Sequence, residues 1–288
     1  MWPQLLSGIA IGSMYGLIAL GFQITYAVSN TMNFSQGAFV MVGAVLCYSL
    51  NITWGLPAVL AVPITLLLCA VLGVAVERWA VRPFAKGGSN AWLLSTIALG
   101  IIAENLTLLT FGKEVRGYPS PLADTPIAIF GFGVFPLELL ITVVGLLAAI
   151  ALRILFTQTL LGKAFQAVSE NPETALIMGV PVLRLVAASF GLSTVMAGMA
   201  GMLIAPIANV SATMGTLLGL KAFATAIIGG LGSPWGVMIA GVGYGVVESL
   251  AAGLLGGSYR EIVGFAVVIL VLALRPNGLF GRAQTEKV

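Results

Sequence analysis

Only 8% of the 288 residues are charged and 59% are hydrophobic, whereas a soluble globular domain carries about 25% charged residues, so an ordinary soluble protein is excluded. Apolar runs of about 20 residues, enough to cross a hydrocarbon core roughly 30 Å thick, recur along the whole chain with short polar gaps, so a single membrane domain over residues 1–288 is expected. The net charge of +3 lies mostly in those gaps and forms no basic patch, which excludes a nucleic-acid partner, and with no histidine the usual zinc and haem ligand sets cannot be assembled; no metal and no cofactor are expected.

In chain order, the first run, Leu5 to Val28, carries Gly8, Gly12 and Gly16 at four-residue spacing, a smooth ridge that lets two membrane helices touch. No basic segment or cleavage site marks it as a removable leader, so it is expected to remain as a membrane helix. The break Ser29 to Gly37 then sets several hydrogen-bonding side chains between two apolar runs. Such groups are costly there unless protein or a watery cavity satisfies them. Ser35 or Asn33 is placed to cap a short helix, Ala38 to Leu50, whose free N–H groups and positive dipole end favour a carboxylate or carbonyl oxygen. Asn33, Phe34, Gln36 and Gly37 are therefore candidate pathway residues, with a simple interfacial turn as the alternative.

Leu56 to Val76 follows, then a connection holding Arg78, Arg82 and Lys86. The run Ala91 to Leu109 contains Glu104, a carboxylate that costs a few kcal/mol inside a membrane unless it is paired, protonated or facing water, and so marks an interior face. The connection Gly112 to Pro136 balances Lys113 and Arg116 against Glu114 and Asp124 and is rich in Pro and Gly, which suits the outer side. Leu137 to Phe156 leads into segment 157–182. Its core, Glu170 to Gly179, reads as a short helix with Asn171 as cap, Pro172 first, Glu173 in the first turn and Gly179 at its end. Ala175, Leu176 and Met178 give that helix an apolar side suited to a groove on a partner protein, so docking is expected over a passive surface loop.

After Leu183 to Ala205 comes a second short run, Gly219 to Ile228, and the break Gly229 to Pro234, in which Gly230 and Gly232 are pathway candidates and a tight packing corner is the alternative. Pro234 suits the first turn of the next run, Trp235 to Leu255, where Gly241 and Gly245 repeat the glycine ridge and Glu248 is a second carboxylate within a span. Ile262 to Leu274 is the last run. The expected fold is an all-α polytopic bundle of eight to nine transmembrane helices, two of them short and discontinuous. Lys and Arg in short connections, including Lys163 and Arg184 and then Arg275, Arg282 and Lys287 in the tail, put the C-terminus in the cytoplasm and the N-terminus outside. The pairs Gly112-Lys113 and Gly162-Lys163 lack the rest of a phosphate loop, no set of catalytic side chains is evident, and energy for transport must come from another polypeptide or not be used.

Four stretches resemble the branched-chain amino acid ABC transporter permeases of the LivH type: Tyr15 to Gly21, Asn33 to Gly37 with Met41 and Gly43, Ala167 to Gly179, and Gly229 to Gly236 running on to Glu248-Ser249. The ending Leu274 to Gly281 is similar as well, and the likeness covers almost the whole chain. The resemblance implies a bacterial inner-membrane permease that pairs with a second, homologous permease, contacts two cytoplasmic ATPase subunits through the Glu170 to Gly179 helix, and receives solute from a periplasmic binding protein. Where the family carries a His and then an acidic residue, this chain has Gln36 and Ala38. Relatives carry branched-chain or other amino acids, urea, short amides or small aromatic acids; a channel or carrier that works without ATP is the alternative within transport.

Overall fold

Inside a bilayer a backbone must satisfy its own hydrogen bonds, so apolar runs of this kind become helices. In the computed structural model, which describes residues 2–85, 90–129 and 132–281, they do. The elements are α1 (Trp2–Ser29), α2 (Gln36–Tyr48), α3 (Ala58–Val76), α4 (Arg82–Ala85), α5 (Ala91–Thr110), α6 (Pro121–Asp124), a hairpin of β1 (Ile127–Ile129) and β2 (Phe132–Val134), α7 (Pro136–Gln158), α8 (Leu160–Glu170), α9 (Pro172–Ile177), α10 (Val182–Ala208), α11 (Met214–Gly229), α12 (Pro234–Leu255) and α13 (Tyr259–Leu274). Among the described residues, seven helices are long and apolar enough to cross a membrane and α11 is a shorter apolar one. The chain is a multi-pass, all-α membrane protein. Lys86, Arg282 and Lys287, used above for sidedness, lie outside the described residues.

Three boundaries exceed the apolar runs. The run expected at Ala38 to Leu50 continues through a π-helical turn, Ser49–Thr53, so that Gln36–Thr53 is 18 residues long. Ser49, Asn51 and Thr53 do not end the helix because its backbone satisfies itself, and Asn51 Nδ2 donates to the Leu56 carbonyl at 2.8 Å to close the following loop. A second π-helical turn, Glu77–Val81, joins α3 to α4 and makes Ala58–Ala85 28 residues long. Its carboxylate is neutralised locally, with Arg82 Nε and Nη2 donating to the two Glu77 oxygens at 3.0 and 2.7 Å. The other short run, Gly219 to Ile228, extends to 16 residues as α11.

The centre of the bundle is α1 and α10. α1 runs antiparallel to α12, and the two glycine ridges face each other: a Cβ on Gly245 would overlap the Gly12 backbone, one on Gly12 would lie 2.6 Å from the Gly241 carbonyl oxygen, and Gly8 and Gly16 abut Val246 and Met238. α10 meets α2 in the same manner, Gly43 against Gly198 and Gly201 against the Val40 carbonyl. α3, α5 and α7 form the periphery, where Leu67, Val71, Leu94, Ile101, Leu109 and Leu147 stand exposed, as side chains that face hydrocarbon do. One end of the bundle is closed by Tyr118, whose hydroxyl donates to Asn51 Oδ1 at 2.9 Å and is pushed above its ordinary pKa by burial.

Candidate functional site

The break after α1 is built by asparagines. Asn30 takes φ 52°, a left-handed conformation that Asn adopts more readily than most residues, and turns the chain back. Asn33 Oδ1 then accepts from the Ser35 backbone N–H at 3.2 Å and the Ser35 hydroxyl at 2.5 Å. Ser35 occupies the N-cap position of α2 without a side-chain cap bond, so Asn33, not the cap residue, fixes the turn. The break re-enters deeply enough that α2 starts opposite the middle of α1. Gln36 there is fully buried: its Nε2 donates to the carbonyls of Ser193 (2.9 Å) and Ile18 (3.4 Å), and its Oε1 accepts from the Ser193 hydroxyl at 2.9 Å. Both ends of the amide are used to tie α1, α2 and α10 together.

Gly37, one residue on, meets the start of α11. A Cβ on Gly37 would lie 2.5 Å from the Gly215 carbonyl oxygen and 3.0 Å from Gly219 Cα, and one on Gly215 would overlap the Gly37 carbonyl. The N-terminal ends of two helices thus cross backbone to backbone, which gathers free N–H groups and two positive dipole ends in one place. Phe34 sits beside this crossing, half-buried, its ring 5.2 Å from that of Phe223 and 6.5 Å from those of Phe22 and Trp92. Glu104 on α5 lies at the same face and accepts from the Thr216 hydroxyl of α11 at 3.1 Å. Gly37 and Glu104 therefore meet the first turns of α11, while Phe34, next to Asn33 in the break, packs further along it on Phe223.

The second break is a packed corner on one side and open on the other. Gly230 takes φ +83°, and a Cβ there would lie 2.6 Å from the Gly281 nitrogen, while the Ile228 carbonyl accepts from Leu279 N–H at 2.7 Å. Gly232 has open space around it. Pro234 is the first residue of α12, and Ser233 Oγ accepts from Gly236 N–H at 3.3 Å as the cap. Glu248 lies apart from all of these, fully buried between α1, α11, α12 and α13, with Lys221 Nζ 2.7 Å away. Lys221 escaped the sequence reading, although a lysine inside the run Gly219 to Ile228 is open to the argument applied to Glu104 and Glu248.

At the opposite level, where α1 ends, segment 157–182 forms two helices. Asn171 caps α9, its Oδ1 accepting from Thr174 N–H at 3.0 Å, Pro172 opens the helix, and Gly179 takes φ +82° after its end. Glu170, Asn171, Pro172 and Glu173 are exposed. The apolar residues of α9 divide: Ala175 packs inward with Val28, Phe165, Val168 and Leu185, while Leu176, Ile177 and Met178 stand 64%, 84% and 78% exposed. Helix α8 was not anticipated; Thr159 caps it through Gly162 N–H at 3.0 Å, and Phe165 and Val168 bury its inner face. A cavity of 440 Å³ lies beside this contact, with Ser29, Thr31, Glu77, Arg82 and Ser169 among its lining. Arg82 Nη2 also donates to the Leu183 carbonyl at 3.3 Å, which ties the start of α4 to the first turn of α10. Replacing Asn171 with Ala should remove about 1 kcal/mol of cap stability, seen as roughly fivefold faster hydrogen exchange across residues 172–177; unchanged exchange would show that the Pro172 turn holds without its cap.

The family described as the permease component of the branched-chain amino acid transport system matches residues 4–272. The high-affinity branched-chain amino acid transport permease LivH of Salmonella typhimurium is 31% identical over 99% of this chain and 97% of its own length. BraD of Pseudomonas aeruginosa, described in the same words, is 30% identical over 99% and 97%. A probable branched-chain amino acid transport permease of Methanocaldococcus jannaschii is 28% identical over 95% and 90%.

Proposed function

Because the chain belongs to the branched-chain amino acid transport permease family, we propose that it is the membrane-spanning subunit of an ATP-binding-cassette importer, moving branched-chain or related amino acids across a bacterial inner membrane. In this reading it hydrolyses nothing itself. Two cytoplasmic ATPase subunits supply the energy, a second, homologous permease completes the membrane unit, and a periplasmic binding protein delivers the solute. The observation that carries the reading is the α8–α9 unit, a capped two-helix projection that presents Leu176, Ile177 and Met178 outward. Three bare apolar side chains on a water-facing projection need a partner.

The arrangement of basic residues agrees with a cytoplasmic position for that projection. Arg82 stands beside it, Arg184 opens the helix that follows, and Arg153 lies over the Trp235 ring at the same end. The N-terminus then faces the periplasm and the C-terminus the cytoplasm. Movement of α9 has a short mechanical route inward, since Ala175 rests on Leu185 of α10, and α10 packs along α1, α2 and α3. Along the pathway, Asn33, Phe34, Gly37 and Glu104 offer the polar and aromatic surface at the crossing, and Gly232 offers an open backbone. Gln36 and Gly230 serve packing in this scheme, so the departure from the family pattern at Gln36 changes a tie between helices and leaves amino-acid transport as the leading substrate class.

The test is uptake of labelled leucine by cells lacking this chain, with and without a functional ATPase pair. Restoration only when both are present is expected. Equal uptake without the ATPases would establish an ATP-independent channel or carrier instead. In the same cells Glu104→Leu should lower uptake about tenfold, since one good charge-assisted hydrogen bond at a route amounts to roughly 1.5 kcal/mol or more; full uptake would place Glu104 outside the route.

A further inference from the structure

Glu248 is a carboxylate shared by four helices. Tyr15 of α1 donates its hydroxyl to Oε2 at 2.9 Å, Arg260 of α13 donates Nε to Oε2 at 3.3 Å, and Lys221 of α11 places Nζ 2.7 Å from Oε1. Glu261 is 3.8 Å from the same ammonium group. The two cations and two carboxylates balance, and the Lys221 and Glu248 side chains are 4% and 0% exposed. Such a cluster is a poor source of stability, because desolvation cancels much of the attraction and apolar residues of equal volume commonly serve as well. What it supplies is position, since the ammonium group must meet that carboxylate.

The N-terminal end of α11 crosses α2 on Gly37, Gly215 and Gly219, a contact without interlocking side chains, and the Thr216–Glu104 hydrogen bond at that end is exposed, whereas Phe223 further along packs on Phe22 and Phe34. The strong buried tie on the helix is Lys221. We propose that the Lys221–Glu248 pair is an internal latch that holds α11 in register with α12 and α13 in the resting state and parts when α11 moves during transport. The inference rests on the reading of the chain as an importer permease. Lys221 and Glu248 are positioning residues in it and touch no solute.

The test uses the complete importer in lipid nanodiscs and measures ATP hydrolysis with and without the solute-binding protein. The variants are Lys221→Met with Glu248→Gln together, which removes both charges and leaves the net charge of the cluster unchanged, and Lys221→Glu with Glu248→Lys, which reverses the tie. The neutral pair should assemble at the wild-type level, raise hydrolysis without binding protein about fivefold or more, and abolish further stimulation. The reversed pair should recover part of the stimulation. A neutral pair with wild-type stimulation overturns the latch. So does a neutral pair that fails to accumulate, since the charges would then serve folding. Wild-type importer that shows no stimulation overturns the importer reading, and the latch falls with it.

Discussion

Ile177→Asp is expected to leave the protein inserted and folded at the wild-type level while uptake falls roughly thirtyfold, as for loss of about 2 kcal/mol at an interface anchor. Ile177 is 84% exposed and packs into no cluster of its own chain, so an added carboxylate meets water in the isolated permease. It meets an apolar groove only when a partner docks. Met178→Asp should behave in the same way. Ala175→Arg is a poorer probe of docking, because Ala175 is buried among Val28, Phe165, Val168 and Leu185 and an arginine there would pry α9 from α10. Co-purification of the ATPase with the variant separates the cases: full recovery of the ATPase together with normal uptake would remove the docking surface from α9.

Gly245→Val should destabilise the permease by about 3 kcal/mol, the upper range for overpacking a filled interior. The new Cβ would overlap the Gly12 backbone, and neither chain can yield without parting α1 from α12, the most extensive helix pair in the molecule. Gly243→Val, two residues away with open space around it, is the control and should be close to neutral. Thermal unfolding in detergent distinguishes them. Equal midpoints for the two variants would show that the ridge is looser than its geometry.

Much of the fold was legible because hydrocarbon leaves the backbone few choices. Each apolar run lies in a helix, seven of them long enough to cross a membrane among the described residues, and the glycine ridges at Gly8, Gly12 and Gly16 and at Gly241 and Gly245 lie against one another. Local capping was legible too: Asn171, Pro172 and Gly179 act through neighbours within a few residues, as do Ser233 and Pro234. What the sequence hid depends on distant pairing. The hydrogen bonds of Gln36 to Ser193, 157 positions away, occupy both ends of its amide, and no local pattern announces them. Two omissions had visible signals. Leu161, Phe165 and Val168 have helical spacing along α8, and Lys221 interrupts an apolar run.

The glycine crossing bears on the shape of the route. Where Gly37 meets Gly215 and Gly219, backbone touches backbone, so a solute the size of leucine has no bore between α2 and α11 at that level. In the importer proposed above, the route runs along the outside of the crossing, past Phe34 and Glu104, against a wall that the second permease supplies. In that reading selectivity belongs to a pair of half-walls, and exchanging the second permease is expected to change what passes without any substitution in this one.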